Sequence, residues 1–85
     1  MRLEILTPEK SIYSGEVYGI QLPGVEGSFE ILQNHAPMVA ALGTGKMKII
    51  LDKAQTKFEN FHITGGFVEI LDNKASVLLE SAVEA

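Results

Sequence analysis

Two histidines, His35 and His62, are the only side chains in this sequence whose ordinary charge change falls near neutral pH, so any general acid-base chemistry would begin with them. Neither has a cysteine to activate. The chain contains none, which removes thiol nucleophiles, zinc-thiolate sites and disulfides together. His62 lies between Phe61 and Ile63 in a run of strand character, and His35 lies in a polar loop where its ring can bond to backbone. The 11 carboxylates are dispersed over polar-face and turn positions, as a solvated surface requires, and form no paired acid/base site. There is no Walker A sequence, no His-x-x-His or His-Glu-x-x-His pair and no dinucleotide fingerprint. The glycine pairs lack the following helix and Lys-Ser or Lys-Thr of a phosphate cradle. The expectation is a chain without catalytic residues, cofactor or metal.

One covalent alternative has a basis in the sequence. Small all-β carrier domains hold a lipoyl or biotinyl group on a hairpin lysine; Asp52-Lys53-Ala54 resembles the lipoyl tip and Gly45-Lys46-Met47-Lys48 the biotinyl one. Asp and Lys are also ordinary turn residues, which is the simpler reading of Lys53.

The elements that would position any site are short. At 85 residues, with 46% hydrophobic and 21% charged side chains, the chain has room for one ordered core, and residues 1–85 are expected to form a single domain. A net charge of −4 disfavours nucleic acid, because phosphate binding needs a clustered basic surface. No apolar run reaches the roughly 18 residues of a membrane helix, and Met1-Arg2-Leu3-Glu4 does not open a signal peptide, so direct membrane insertion is not expected.

Apolar residues recur with a period near two between turn signals, the pattern of an all-β sandwich or barrel. Strands are expected over 3–7, 11–13, 16–22, 29–32, 38–42, 46–51, 57–64, 67–71 and 75–79. Pro23-Gly24 is expected to stop the third, Val25 to Ser28 to turn between two glycines of positive φ, and Gly65-Gly66 to bend the chain. Asp72-Asn73 is a hairpin signal, and residues 81–85 are weakly helical. Apolar side chains outside the core, some from Met38 to Leu42, are expected to form a partner-binding patch.

Two glycine-centred segments carry a resemblance. Leu22-Pro23-Gly24-Val25-Glu26-Gly27-Ser28-Phe29-Glu30-Ile31-Leu32, followed by Asn34-His35-Ala36-Pro37-Met38-Val39, resembles a stretch of the ε subunits of rotary F-type ATP synthases, called δ in mitochondria. Ile63-Thr64-Gly65-Gly66-Phe67-Val68-Glu69-Ile70, with Asn73 and Val77 to Ala82, resembles a second. With Leu3 to Pro8 and Ser14-Gly15 the resemblance covers essentially the whole chain.

It implies a flattened β-sandwich of about ten short strands and a non-catalytic rotor subunit that links the γ subunit to the membrane c-ring at the cytoplasmic face. By position in the motif, Glu26, Gly27, Ser28 and Phe29 fall in the loop expected at the c-ring, and Thr7, His35 and Ala40 where the family faces γ. Ser28 occupies a position often acidic in such subunits. Exchange of His35 or Phe29 is expected to weaken assembly and leave the fold stable. Most bacterial members continue into a C-terminal helical hairpin that inhibits hydrolysis or binds ATP; this sequence ends at Ala85, so those roles are not carried over.

Overall fold

Alternating side chains define eight strands in a computed structural model that describes residues 1–85. They are β1 (Arg2–Leu6), β2 (Ser11–Glu16), β3 (Gly19–Gly24), β4 (Gly27–Leu32), β5 (Met38–Leu42), β6 (Gly45–Ile50), β7 (Phe58–Leu71) and β8 (Lys74–Glu84). There is no helix. The final residues, expected as weakly helical, extend β8, because Ser81 to Glu84 find ladder partners in Thr64 to Phe61.

The two longest strands make the sandwich. In β7, Phe58 to Ile63 pair with β6, and Gly66 to Ile70 pair with β5. β8 follows it through the same change, pairing with β1 over its first half only. One layer therefore runs β2-β1-β8-β7-β5 and the other β8-β7-β6-β3-β4. Counting each half of β7 and β8 separately gives the ten short strands of the expectation. A bridge between Gly24 and Leu42 joins the layers on the opposite side.

The crossing is written into the side-chain pattern. Phe61 and Ile63 point inward before it, Val68 and Ile70 after it, so the buried positions change from odd to even. A regular strand cannot do this. The shift occurs at Gly65 and Gly66, whose φ values are +25° and +150°. Gly66 is needed on a second count, since a Cβ there would overlap the Leu78 carbonyl.

Leu3 and Ile5 of β1, Ile20 and Leu22 of β3, Ile31 of β4, Met47 and Ile49 of β6, and Val77 of β8 complete the centre of the core, each with 0% exposure. Burial of such side chains contributes about 1.5–3 kcal/mol each, which is how a chain without disulfides holds this shape. Met47 and Ile49 face inward as expected; Leu51 lies beyond the end of β6, half-buried.

Pro23-Gly24 does not end β3, contrary to expectation; the strand continues through both, and its break lies earlier, at Val17-Tyr18. Pro23 is accommodated because β3 has no ladder partner at that point on its second edge. There the Pro23 carbonyl accepts the Gly43 N–H at 2.8 Å, and no ladder bond is lost to the missing proline N–H. Asp72 and Asn73, at φ +51° and +58°, form the expected two-residue hairpin turn.

The loop between β6 and β7 is organised by Asp52. Its carboxylate accepts hydrogen bonds from the Thr56 hydroxyl and from the N–H groups of Thr56 and Lys57, the last two at 2.9 Å. The Thr56 hydroxyl foremost, then the Lys57 amide, holds this carboxyl below its ordinary 3.8. A depressed folded value means that the stabilisation is present above about pH 4 and disappears as the pH falls through the folded value. Asp52→Asn is accordingly expected to lower stability at pH 6 and to flatten the acid limb of the pH-stability curve, read by thermal unfolding between pH 2 and 6.

Candidate functional site

The β3–β4 hairpin is closed by Val25 and Glu26, with Gly24 opposite Gly27. Of the two flanking glycines only Gly27 has positive φ, +132°. Gly24 is required for space: a Cβ there would stand 2.7 Å from the Gly27 carbonyl and 2.8 Å from the Phe29 ring. Phe29 lies across this gap and packs on the core. Its exchange is therefore predicted to act on the fold, where the sequence led to the expectation of an effect on assembly alone. Phe29→Ala is predicted to cost about 2–3 kcal/mol in urea unfolding, below the range for a fully buried Phe because the ring is partly exposed.

Glu26 and Ser28 are exposed, and Ser28 accepts a hydrogen bond from Gln21 Nε2 at 3.2 Å. Between this hairpin and β5 lies an open groove of about 330 Å³ lined by Gly24 to Gly27, Phe29 and Met38 to Ala41. Glu26, Gly27, Phe29 and Ala40 thus converge on one surface. Ser28 points to the opposite side, toward Lys46 and Lys48.

Thr7 follows β1 and closes a turn by pairing with Lys10, its N–H donating to the Lys10 carbonyl at 3.0 Å. The strand directions put Thr7 at the same end of the sandwich as Glu26, across the width of the first layer. His35 is at the other end. Its exposed ring donates from Nδ1 to the Ala36 carbonyl at 2.7 Å, and its loop is tied to the β7–β8 turn by Asn34 N–H donating to Asn73 Oδ1 at 2.7 Å. His62 is exposed on β7, far along the sheet from His35.

Motif positions alone did not reveal the feature that joins these residues. On the outer face of the first layer, Leu6 pairs with Leu78, Leu78 with Phe67, and Phe67 with Ala41. Beyond Ala41, its carbonyl accepts the Val25 N–H at 3.3 Å. Leu6, Leu78, Phe67, Val25 and nearby Val39 are 39–69% exposed. They form an apolar row across four strands that runs from beside Thr7 to the Val25-Glu26 turn. The signal was present in the sequence as apolar residues out of phase with the core, but only the register lines them up.

No group of three or more His, Asp or Glu side chains converges as a metal ligand set. What the fold and this surface define is a two-layer β-sandwich domain with an apolar row across one outer face. All of residues 1–85 match the family described as ATP synthase, Delta/Epsilon chain, beta-sandwich domain, and the chain belongs to that family.

The ATP synthase epsilon chain of Chlorobium limicola is 45% identical over 80 residues, which span 93% of this chain and 88% of that one. The epsilon chain of Leptospira borgpetersenii is 42% identical over 94% of this chain and 61% of its own length. Among solved structures, a chain of the Euglena gracilis mitochondrial ATP synthase superposes with a TM-score of 0.85 at 23% identity, covering 96% of this chain and 51% of that one. A chain of the Tetrahymena thermophila mitochondrial ATP synthase central stalk and c-ring gives 0.79 at 22%, covering 96% and 64%. These last two likenesses bear on the fold. Family membership leaves Lys53 as a turn residue of the Asp52 loop, without support for a carrier role.

Proposed function

We infer that this chain is a non-catalytic subunit of the central stalk of a rotary ATP synthase, held between the γ subunit and the c-ring. It carries out no reaction of its own and is attached peripherally at the cytoplasmic face of the membrane through those partners. The observation that carries the reading is the exposed apolar row, in a member of the epsilon family, with two residues expected to face γ next to it in the chain. Thr7 follows Leu6 at one end of the row, and Ala40, whose side chain turns toward the core, precedes Ala41 near the other; this nearness in the chain is what supports giving the row to γ. The Val25-Glu26 turn, with Gly27, Ser28 and Phe29 behind it, is assigned to the polar loops of the c-ring. His35 reaches γ from the opposite end of the body.

The mechanics follow from the packing. Rotation passes through contacts, and a spacer that deformed would dissipate it. Two layers joined through β7 and β8 and filled at the density of an organic crystal supply the stiffness without an active site. Burial of the row against γ supplies attachment that is apolar at its centre and polar at its rim. The test is binding of the purified chain to γ and to c-rings from membranes stripped of this subunit. Retention on either supports the reading, and retention on neither overturns it.

A further inference from the structure

The second layer presents an outer face of different chemistry. Lys46 and Lys48 project from β6 with Gln21, Ser28 and Asn60 around them, lining a recess of about 340 Å³ that contains no hydrophobic residue. In a chain of net charge −4 these two lysines have no carboxylate in ion-pair range. The ion pairs of the chain are Lys74 with Glu4 and the amino terminus with Glu16. Lys48 is instead held over the Phe58 ring, 4.6 Å from its centre, which positions the ammonium without neutralising it. Glu30 is two strands away from Lys48, beyond Gln21, at roughly 9–10 Å between backbones.

We propose that this recess is a docking site for an acidic segment of a neighbouring subunit, whose carboxylates pair with Lys46 and Lys48. Charge complementarity argues for a protein segment. β6 is paired with β7 along its whole length and with β3 from Lys48 to Ile50, so no run of free backbone amides converges on a phosphate. The donors there are chiefly side chains along the recess, with the lysines two residues and so about 6.7 Å apart on one strand. That spacing matches carboxylates at alternate positions of an extended segment. Gln21 and Asn60 add neutral donors at the rim, and Ser28 makes the recess continuous with the turn assigned to the c-ring.

The inference rests on the stalk reading, and one experiment separates their failures. Affinity for the synthase stripped of this subunit is measured for the wild-type chain and for Lys46→Gln/Lys48→Gln at 50 mM and 300 mM salt. Two partly exposed ion pairs predict a loss of about three- to tenfold in the variant at low salt, shrinking toward equality at high salt. A peptide with glutamate at alternate positions should compete with the wild-type chain, and inorganic phosphate at matched ionic strength should not. Equal affinity of the two chains at low salt overturns the inference and leaves the stalk reading standing. Competition by phosphate as strong as by the peptide overturns it in favour of a free anion. Failure of the wild-type chain to bind overturns the stalk reading itself.

Discussion

Replacement of Gly66 by alanine is expected to remove about 3–5 kcal/mol of stability, much of what an 85-residue domain possesses. Two costs combine. The residue sits at φ +150°, where an L side chain is strained by about 1–3 kcal/mol, and its Cβ would overlap the Leu78 carbonyl of β8. The colliding atom is backbone, held in the ladder between the longest strands, so it cannot swing aside. Gly27→Ala is the control. It shares a positive φ, +132°, but has nothing within 4 Å of the added carbon, so it should lose only the strain. Urea unfolding of both variants separates the terms, and equal losses would show that contact with β8 is not what requires glycine at Gly66.

The second large effect falls on assembly and spares the fold. Phe67 is 47% exposed and stands near the middle of the apolar row, between Leu78 and Ala41 in register. Phe67→Lys exchanges a docking ring for a charge that partner contact would desolvate. Affinity for γ is expected to fall about 30- to 1000-fold, the range for a central aromatic anchor. Stability of the isolated chain should change by no more than about 1 kcal/mol, the span of strand preferences at an exposed site. Parallel titration and urea unfolding give both numbers. A large loss of stability with unchanged affinity would mean that the ring serves the sheet and not a partner.

These two residues also mark how far the sequence could be read. Gly65-Gly66 was legible as a bend, and the inward phase of Phe61 and Ile63 was legible from alternation. That one strand continues through the bend was not, because the partner that makes it continuous, β8, is brought back by the hairpin at Asp72-Asn73. Ser81 to Glu84 looked helical for the same reason: their local preference is weak, and pairing with Phe61 to Thr64 decides the matter. Pro23 misled because its rule concerns hydrogen bonding, and a sequence does not say which edge of β3 lacks a partner.

The site was readable in pieces. Motif positions named Thr7, Ala40 and the Glu26 to Phe29 turn, but Leu6, Leu78, Phe67 and Ala41 come from four strands, and their alignment exists only in the register. Phe29 shows the converse. It stands in a motif expected at a partner surface, yet its ring fills the space that Gly24 leaves beside it.

The central claim is that the apolar row is covered by the stalk, and the absence of cysteine makes this directly measurable. A single cysteine is introduced by Phe67→Cys, by Leu78→Cys, or by Lys53→Cys in the exposed loop at the other end of the molecule, and maleimide labelling rates are compared for the free chain and the assembled synthase. The account predicts rapid labelling of all three in the free chain, with the Phe67 and Leu78 positions slowed at least about tenfold on assembly and the Lys53 position little changed. Unchanged labelling at Phe67 and Leu78 in an assembly shown to contain the subunit would contradict it.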